Sequence, residues 1–137
     1  MKKNIYLLGL YLSIFFINNT NAQTKITKAT TPKMSVSELL QGKWQSTDDK
    51  TNYLVFEKNQ RKEISGGMKS WDSEAFTLSN KCLNESDKGL VGQPTKDFYI
   101  SCLESDLCWN IMGIDKNVLT LSYTATGRTL EYRRVKK

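Results

Sequence analysis

The sequence predicts an all-β domain, an eight-stranded antiparallel up-and-down meander barrel preceded by one short N-terminal helix. Three observations predict it. From residue 43 onward, apolar residues recur with period two rather than 3.6. Turn-forming residues interrupt that alternation every several positions. Most of the connections are short, which forces consecutive strands to be antiparallel neighbours. Eight strands is also a number at which a meander closes on itself and removes its exposed edges.

The helix comes first. Ser35-Val36-Ser37-Glu38 fits a capping box, in which Ser35 accepts from the backbone of Glu38 and the Glu38 side chain reaches back. Leu39, Leu40 and Gln41 allow one or two turns, and Gly42 ends them. The first strand is expected over 43–46, followed by the turn Thr47-Asp48-Asp49-Lys50. The second, over 52–57, sets Leu54 and Phe56 on one face and Tyr53 and Val55 on the other. Asn59-Gln60 turns into a short third strand over 61–64, which Gly66-Gly67 breaks. The fourth, over 74–78, carries Phe76 and Leu78 on one face. Residues 79–96, with two Gly, one Pro and many polar residues, form the longest loop. The fifth strand, over 97–101, pairs Phe98 with Ile100 on one face. Glu104-Ser105-Asp106 then turns into the sixth, over 108–114, where Trp109 and Ile111 go together. Asp115-Lys116-Asn117 leads into the seventh, over 118–124. There Leu119, Leu121 and Tyr123 alternate with Thr120 and Ser122, one buried face and one wet. Ala125-Thr126-Gly127 leads into the eighth, over 128–135, with Leu130 and Tyr132 on one face.

Ahead of this domain, residues 1–22 read as a signal peptide. Lys2 and Lys3 supply the charged start, 5–17 is an uncharged apolar run, and Ala22 is a small residue at the cleavage position. That run is too short to span a bilayer as a helix, which needs roughly 20 apolar residues. No stable membrane anchor is therefore expected after cleavage, and the destination is the periplasm or the exterior. Residues 23–34, rich in Thr and Lys, read as a flexible leader to a barrel domain over 35–137.

Charge and composition exclude several classes of function. Of the 20 basic residues, two lie in the signal; the rest exceed the 14 acidic ones by four. This mild excess is scattered, without interleaved aromatics, so no nucleic-acid partner is expected. The sequence has no His, which removes Ser-His and Cys-His nucleophile pairs and most zinc sites. The carboxylate candidates for hydrolysis, Asp48-Asp49 and Glu104 with Asp106, sit where turns are expected, and Asp is a common turn residue. No cofactor, metal site or enzymatic activity is expected. Asn84-Glu85-Ser86 has the form of a glycosylation sequon; in a chain with a bacterial-style signal it is expected to go unused.

Export to an oxidising space predicts one disulfide among Cys82, Cys102 and Cys108. A tight hairpin centred on Ser105 sets Cys102 opposite Cys108. Strand parity, however, puts Cys102 with Ile100 and Cys108 opposite in sense to Trp109, on different faces, unless a bulge intervenes. Cys82 in the long loop is the other partner within reach of Cys108. The sequence leaves the pairing open.

Three features fall together: a short helix, Gly42-Lys43-Trp44 opening the first strand, and Arg134 near the end of the last strand. This combination resembles the lipocalin pattern, in particular small secreted lipocalin-like proteins of bacteria, over about residues 35–135. The resemblance implies that Trp44 and Arg134 close one end of the barrel, with the guanidinium stacked on the indole. It also implies a small apolar ligand in the interior, lined by Phe56, Phe76, Trp109 and Tyr123. An eight-stranded barrel has room for side chains alone or for one small ligand. The alternative is an interaction or inhibitor module with a filled core, meeting a protein partner through Trp71 and the 79–96 loop.

Overall fold

Ser35 starts the chain's only helix among the described residues. Its hydroxyl accepts from the Glu38 amide at 3.2 Å, while its own amide donates to Glu38 Oε2 at 2.7 Å. The reciprocal box fixes α1, Val36–Leu40. Those Ser35 hydrogen bonds hold the Glu38 carboxyl below its usual range. The structure is a computed structural model that describes residues 33–94 and 97–136. The expected signal peptide and residues 23–32 of the leader lie outside the described residues.

Nine strands follow: β1 Gly42–Ser46, β2 Tyr53–Glu57, β3 Gln60–Ile64, β4 Asp72–Ala75, β5 Thr77–Ser79, β6 Tyr99–Cys102, β7 Leu107–Ile114, β8 Val118–Tyr123 and β9 Thr129–Arg134. They form one sheet in the order β4-β3-β2-β1-β9-β8-β7-β6-β5, with every pairing antiparallel. The first strand of the barrel pairs with the last, Trp44 opposite Arg134 and Ser46 opposite Tyr132. The result is a nearly closed, barrel-like antiparallel sheet.

The expected count of eight fails at one residue. The fourth strand divides at Phe76, which separates β4 from β5. Up to Ala75 the strand pairs with β3, and the Phe76 amide still donates to Asn59 O at 2.9 Å. From Thr77 the strand pairs with β6 instead. One strand thus changes partners midway, and β4 and β5 become the two edges of the sheet. A side chain crosses this seam: Glu74 accepts from the Ser105 hydroxyl at 2.8 Å and the Ser105 amide at 3.1 Å.

Alternation puts Trp44, Leu54, Phe56, Ile100, Leu119 and Leu121 inside, none more than 2% exposed. Each such side chain contributes on the order of 1.5–3 kcal/mol by leaving water. Phe56 and Phe76 meet edge to face at 5.3 Å. In β7 the alternation slips once. Ile111 pairs with Leu121 but Gly113 with Thr120, so Met112 is an extra residue that bulges outward.

The β6–β7 hairpin differs from expectation by one position. Leu103–Asp106 form a four-residue turn, with Asp106 at φ 57°, so Cys102 pairs with Leu107 and Ser101 with Cys108. Cys102 points into the core as a free, buried thiol, whereas Cys108 faces outward and bonds Cys82, Cα–Cα 6.0 Å. Phe98 was expected inside with Ile100. It packs instead on the outer cluster of Cys82, Tyr99 and Cys108. Asp97, at φ 58°, turns the chain just before it, so regular alternation starts only at Tyr99. The described part of the long loop is pinned to this outer face. Asn84 is fully buried and donates to Asp87 Oδ2 at 2.8 Å and to Asp106 O at 3.0 Å.

Candidate functional site

The two ends of the barrel differ, and the difference starts at Gly42. Its φ of 116° is open to glycine, and a Cβ there would lie 2.8 Å from Arg134 Nη1. The space left by the missing side chain admits the Arg134 guanidinium. Arg134 donates to Gln41 O at 2.6 Å and to Leu39 O, satisfying carbonyls at the helix C-terminus, and to Lys116 O at 2.6 Å in the turn between β7 and β8. It also lies over the Trp44 ring at 4.0 Å from the centroid. The Trp44 indole N–H donates to Leu40 O at 2.8 Å. Helix, first strand and last strand are tied here by one side chain, and the end is shut.

The other end is open. A pocket of about 320 Å³ is lined by Arg61 and Glu63 of β3, Leu107 and Trp109 of β7, Tyr123 of β8, Arg128, and Leu130 and Tyr132 of β9. Register explains how β3 supplies charge to the interior. The two-residue turn Lys58-Asn59 sets Phe56 opposite Arg61, and Arg61 in turn opposite Glu74. Because Phe56 faces inward, Arg61 and Glu74 do too, at 5% and 7% exposure. Arg61 pairs with Glu63, lies 3.7 Å from Glu74, and stacks on Trp109 at 4.4 Å from the ring centroid. A buried guanidinium is tolerable only with such compensation.

Two buried groups of this region are held neutral. Burial pushes the Tyr132 hydroxyl up to about 12, with Glu63 acting in the same direction. Burial likewise pushes the Cys102 thiol up to about 12, against the opposing pull of Arg61. A thiol held so high is a poor nucleophile at neutral pH.

Of the residues expected to meet a ligand, Trp109 and Tyr123 line this pocket, their rings 5.9 Å apart. Trp44 and Phe76 lie elsewhere, in solid core with at most 8% exposure, while the buried Phe56 and the closed-end Arg134 both border a separate groove. The inner half of the barrel is therefore filled; besides the open-end pocket, a wider surface groove of about 920 Å³ runs along the helix end beside Gly42, Val55 and Arg134. Arg61, Glu63 and Arg128 are the pocket residues that sequence reasoning missed. A signal for Arg61 and Glu63 existed in the spacing from Phe56, given the correct turn.

The other candidates hold local structure. Asp49 accepts from the Thr51 amide and hydroxyl, and Asp106 from the Ser86 amide at 3.0 Å and hydroxyl. These hydrogen bonds keep both carboxyls below their usual range. Trp71 is 40% exposed on the outer wall, where Lys43 Nζ lies 5.7 Å from its ring and 4.2 Å from that of Tyr53. Among the described residues, no three His, Cys, Asp or Glu side chains converge as a metal site requires. Among the same residues, no helix is long and apolar enough to cross a membrane. No family model, curated protein or solved structure matches the chain.

Proposed function

We propose that this is a non-catalytic, lipocalin-like binding protein of the periplasm or exterior that holds one small, largely apolar molecule at the open end of its barrel. The observation that carries the reading is the pocket of about 320 Å³ between Trp109, Tyr123 and Tyr132. Its size falls at the lower end of the range for ligand sites, roughly 300–1,000 Å³. Its walls are mostly apolar, with a few fixed polar groups, the usual make-up of a binding site. The Cys82–Cys108 bridge and the signal-like first 22 residues support the extracytoplasmic placement. Glu63 and Glu74, the carboxylates nearest the pocket, both face Arg61, which supports a binding rather than a hydrolytic role.

Native mass spectrometry of the mature protein from its own host tests this. The expected result is a reproducible excess mass, lost on denaturation and absent from a Trp109→Ala variant. A clean apo mass, with no small molecule taken up from a host extract, would overturn it.

A second reading, an interaction module, is favoured by the outer surface. Trp71 is 40% exposed and Val91 on the long loop 88%. Loss of binding to a host partner on Trp71→Ala, with the pocket intact, would support it.

A further inference from the structure

The floor of the open-end pocket is polar in a particular way. Arg61 is 5% exposed and lines the pocket, yet among the described residues its side chain makes one hydrogen bond, to Glu63. A guanidinium carries five N–H donors. Tyr132 is 3% exposed and lines the same pocket, and among the described residues its hydroxyl has no hydrogen-bond partner. Among the described residues the sealed side-chain atoms without a partner are Asn52, Asn84 and Asn110 Oδ1, so the free donors of Arg61 and Tyr132 are open to the pocket, where an occupant that supplies an acceptor takes the place of water. Charge narrows the occupant further. The lining carries Arg61, Arg128 and Glu63, and Glu74, 3.7 Å from Arg61 outside the lining, offsets the remaining positive charge. An anion gains no net field and meets Glu63; a cation meets two guanidiniums. The walls that remain are the rings of Trp109, Tyr123 and Tyr132 with the side chains of Leu107 and Leu130.

Resting on the small-molecule reading above, we propose that the pocket selects uncharged planar molecules with a carbonyl-type acceptor at the inner end, received by the Arg61 guanidinium and the Tyr132 hydroxyl. Aromatic walls hold the ring system, and the donors fix which end goes in. The purely apolar ligand class that the barrel alone suggests is thereby narrowed to one bearing an acceptor.

The test uses three probes on the ¹⁵N-labelled mature protein, read at the Trp109 indole N–H by NMR titration: coumarin, naphthalene and naphthalene-2-carboxylate. Coumarin is expected to bind about tenfold tighter than naphthalene, and the carboxylate more weakly than coumarin. Tyr132→Phe is expected to weaken coumarin several-fold and leave naphthalene unchanged, which also reports that the pocket is intact in the variant. Equal affinities for coumarin and naphthalene, or tightest binding by the carboxylate, would overturn the acceptor proposal and leave the small-molecule reading standing. No shift at Trp109 with any probe would overturn both.

Discussion

Removing the Arg134 side chain is the sharpest perturbation of the closed end. Arg134→Ala deletes three hydrogen bonds to the carbonyls of Leu39, Gln41 and Lys116, and the stack on Trp44. The carbonyls lie close enough to the surface to regain water, so each bond is worth about 0.5–1 kcal/mol net, roughly 2 together. The stack, on a partly exposed guanidinium, adds about 1 kcal/mol. The expected loss is about 3 kcal/mol, or roughly 12 °C in Tm for a domain of this size. Arg134→Lys keeps the charge but not the planar fork, and is expected to recover at most about 1 kcal/mol. Gly42→Ala is expected to cost about 2 kcal/mol, from the strained φ and from the contact with Arg134 Nη1. In the Arg134→Ala background the contact is gone, so the same change costs less. Urea unfolding followed by Trp fluorescence measures all four variants against the parent protein. A loss below about 1 kcal/mol for Arg134→Ala, or strict additivity with Gly42→Ala, would refute the account of a guanidinium seated in the space of a missing Cβ.

Two further outcomes are expected. Alkaline pH should unfold the domain through the two raised groups. The unfolded chain releases the Cys102 and Tyr132 protons from ordinary values of 9.0 and 10.0, and the fold retains both to about 12. The folded state therefore binds more protons in that window, so stability is full below about pH 9 and falls as pH rises towards 12. Cys102→Ala should flatten the first part of that fall in urea midpoints measured between pH 8 and 11; an unchanged profile would contradict the assignment. Reducing the Cys82–Cys108 bridge opens a loop of sequence separation 26, for which chain entropy gives a cost of about 3.5 kcal/mol. Urea midpoints with and without dithiothreitol check this, and a shift worth less than about 1 kcal/mol would mean that the hydrogen bonds of Asn84 hold the loop unaided.

The sequence revealed the fold wherever apolar residues alternate with polar ones. Leu54 and Phe56, or Leu119 and Leu121, announce their face because burying the alternate set would strand polar groups. Residues 60–64 give no such signal. Gln60, Arg61, Lys62 and Glu63 are polar on both faces, so only the register imposed by the Lys58-Asn59 turn shows that Arg61 and Glu63 point inward. The outward bulge at Met112 and the partner change at Phe76 are likewise decided by tertiary geometry and leave no trace in local pattern. Of the site, the aromatic half was legible, since Trp109 and Tyr123 follow strand parity. The charged half was not, because a buried ion cluster looks like a solvated face when read one residue at a time. Parity did separate Cys102 from Cys108, and the structure supplies the partner that the sequence left open, Cys82.

The partner change at Phe76 makes the barrel a clasp rather than a ring. Backbone ladders run unbroken from β4 round to β5, but across the seam the fastening is Glu74 on Ser105, with Arg61 against Trp109 behind it. The pocket straddles that fastening: Arg61 and Glu63 belong to one bank, Leu107 and Trp109 to the other. At the mouth the banks meet through these side chains, while at Phe76 the backbone itself joins them. Any molecule seated between the banks rivets them together, so occupancy and closure become a single equilibrium in which the grip on the guest and the tightness of the barrel rise and fall together.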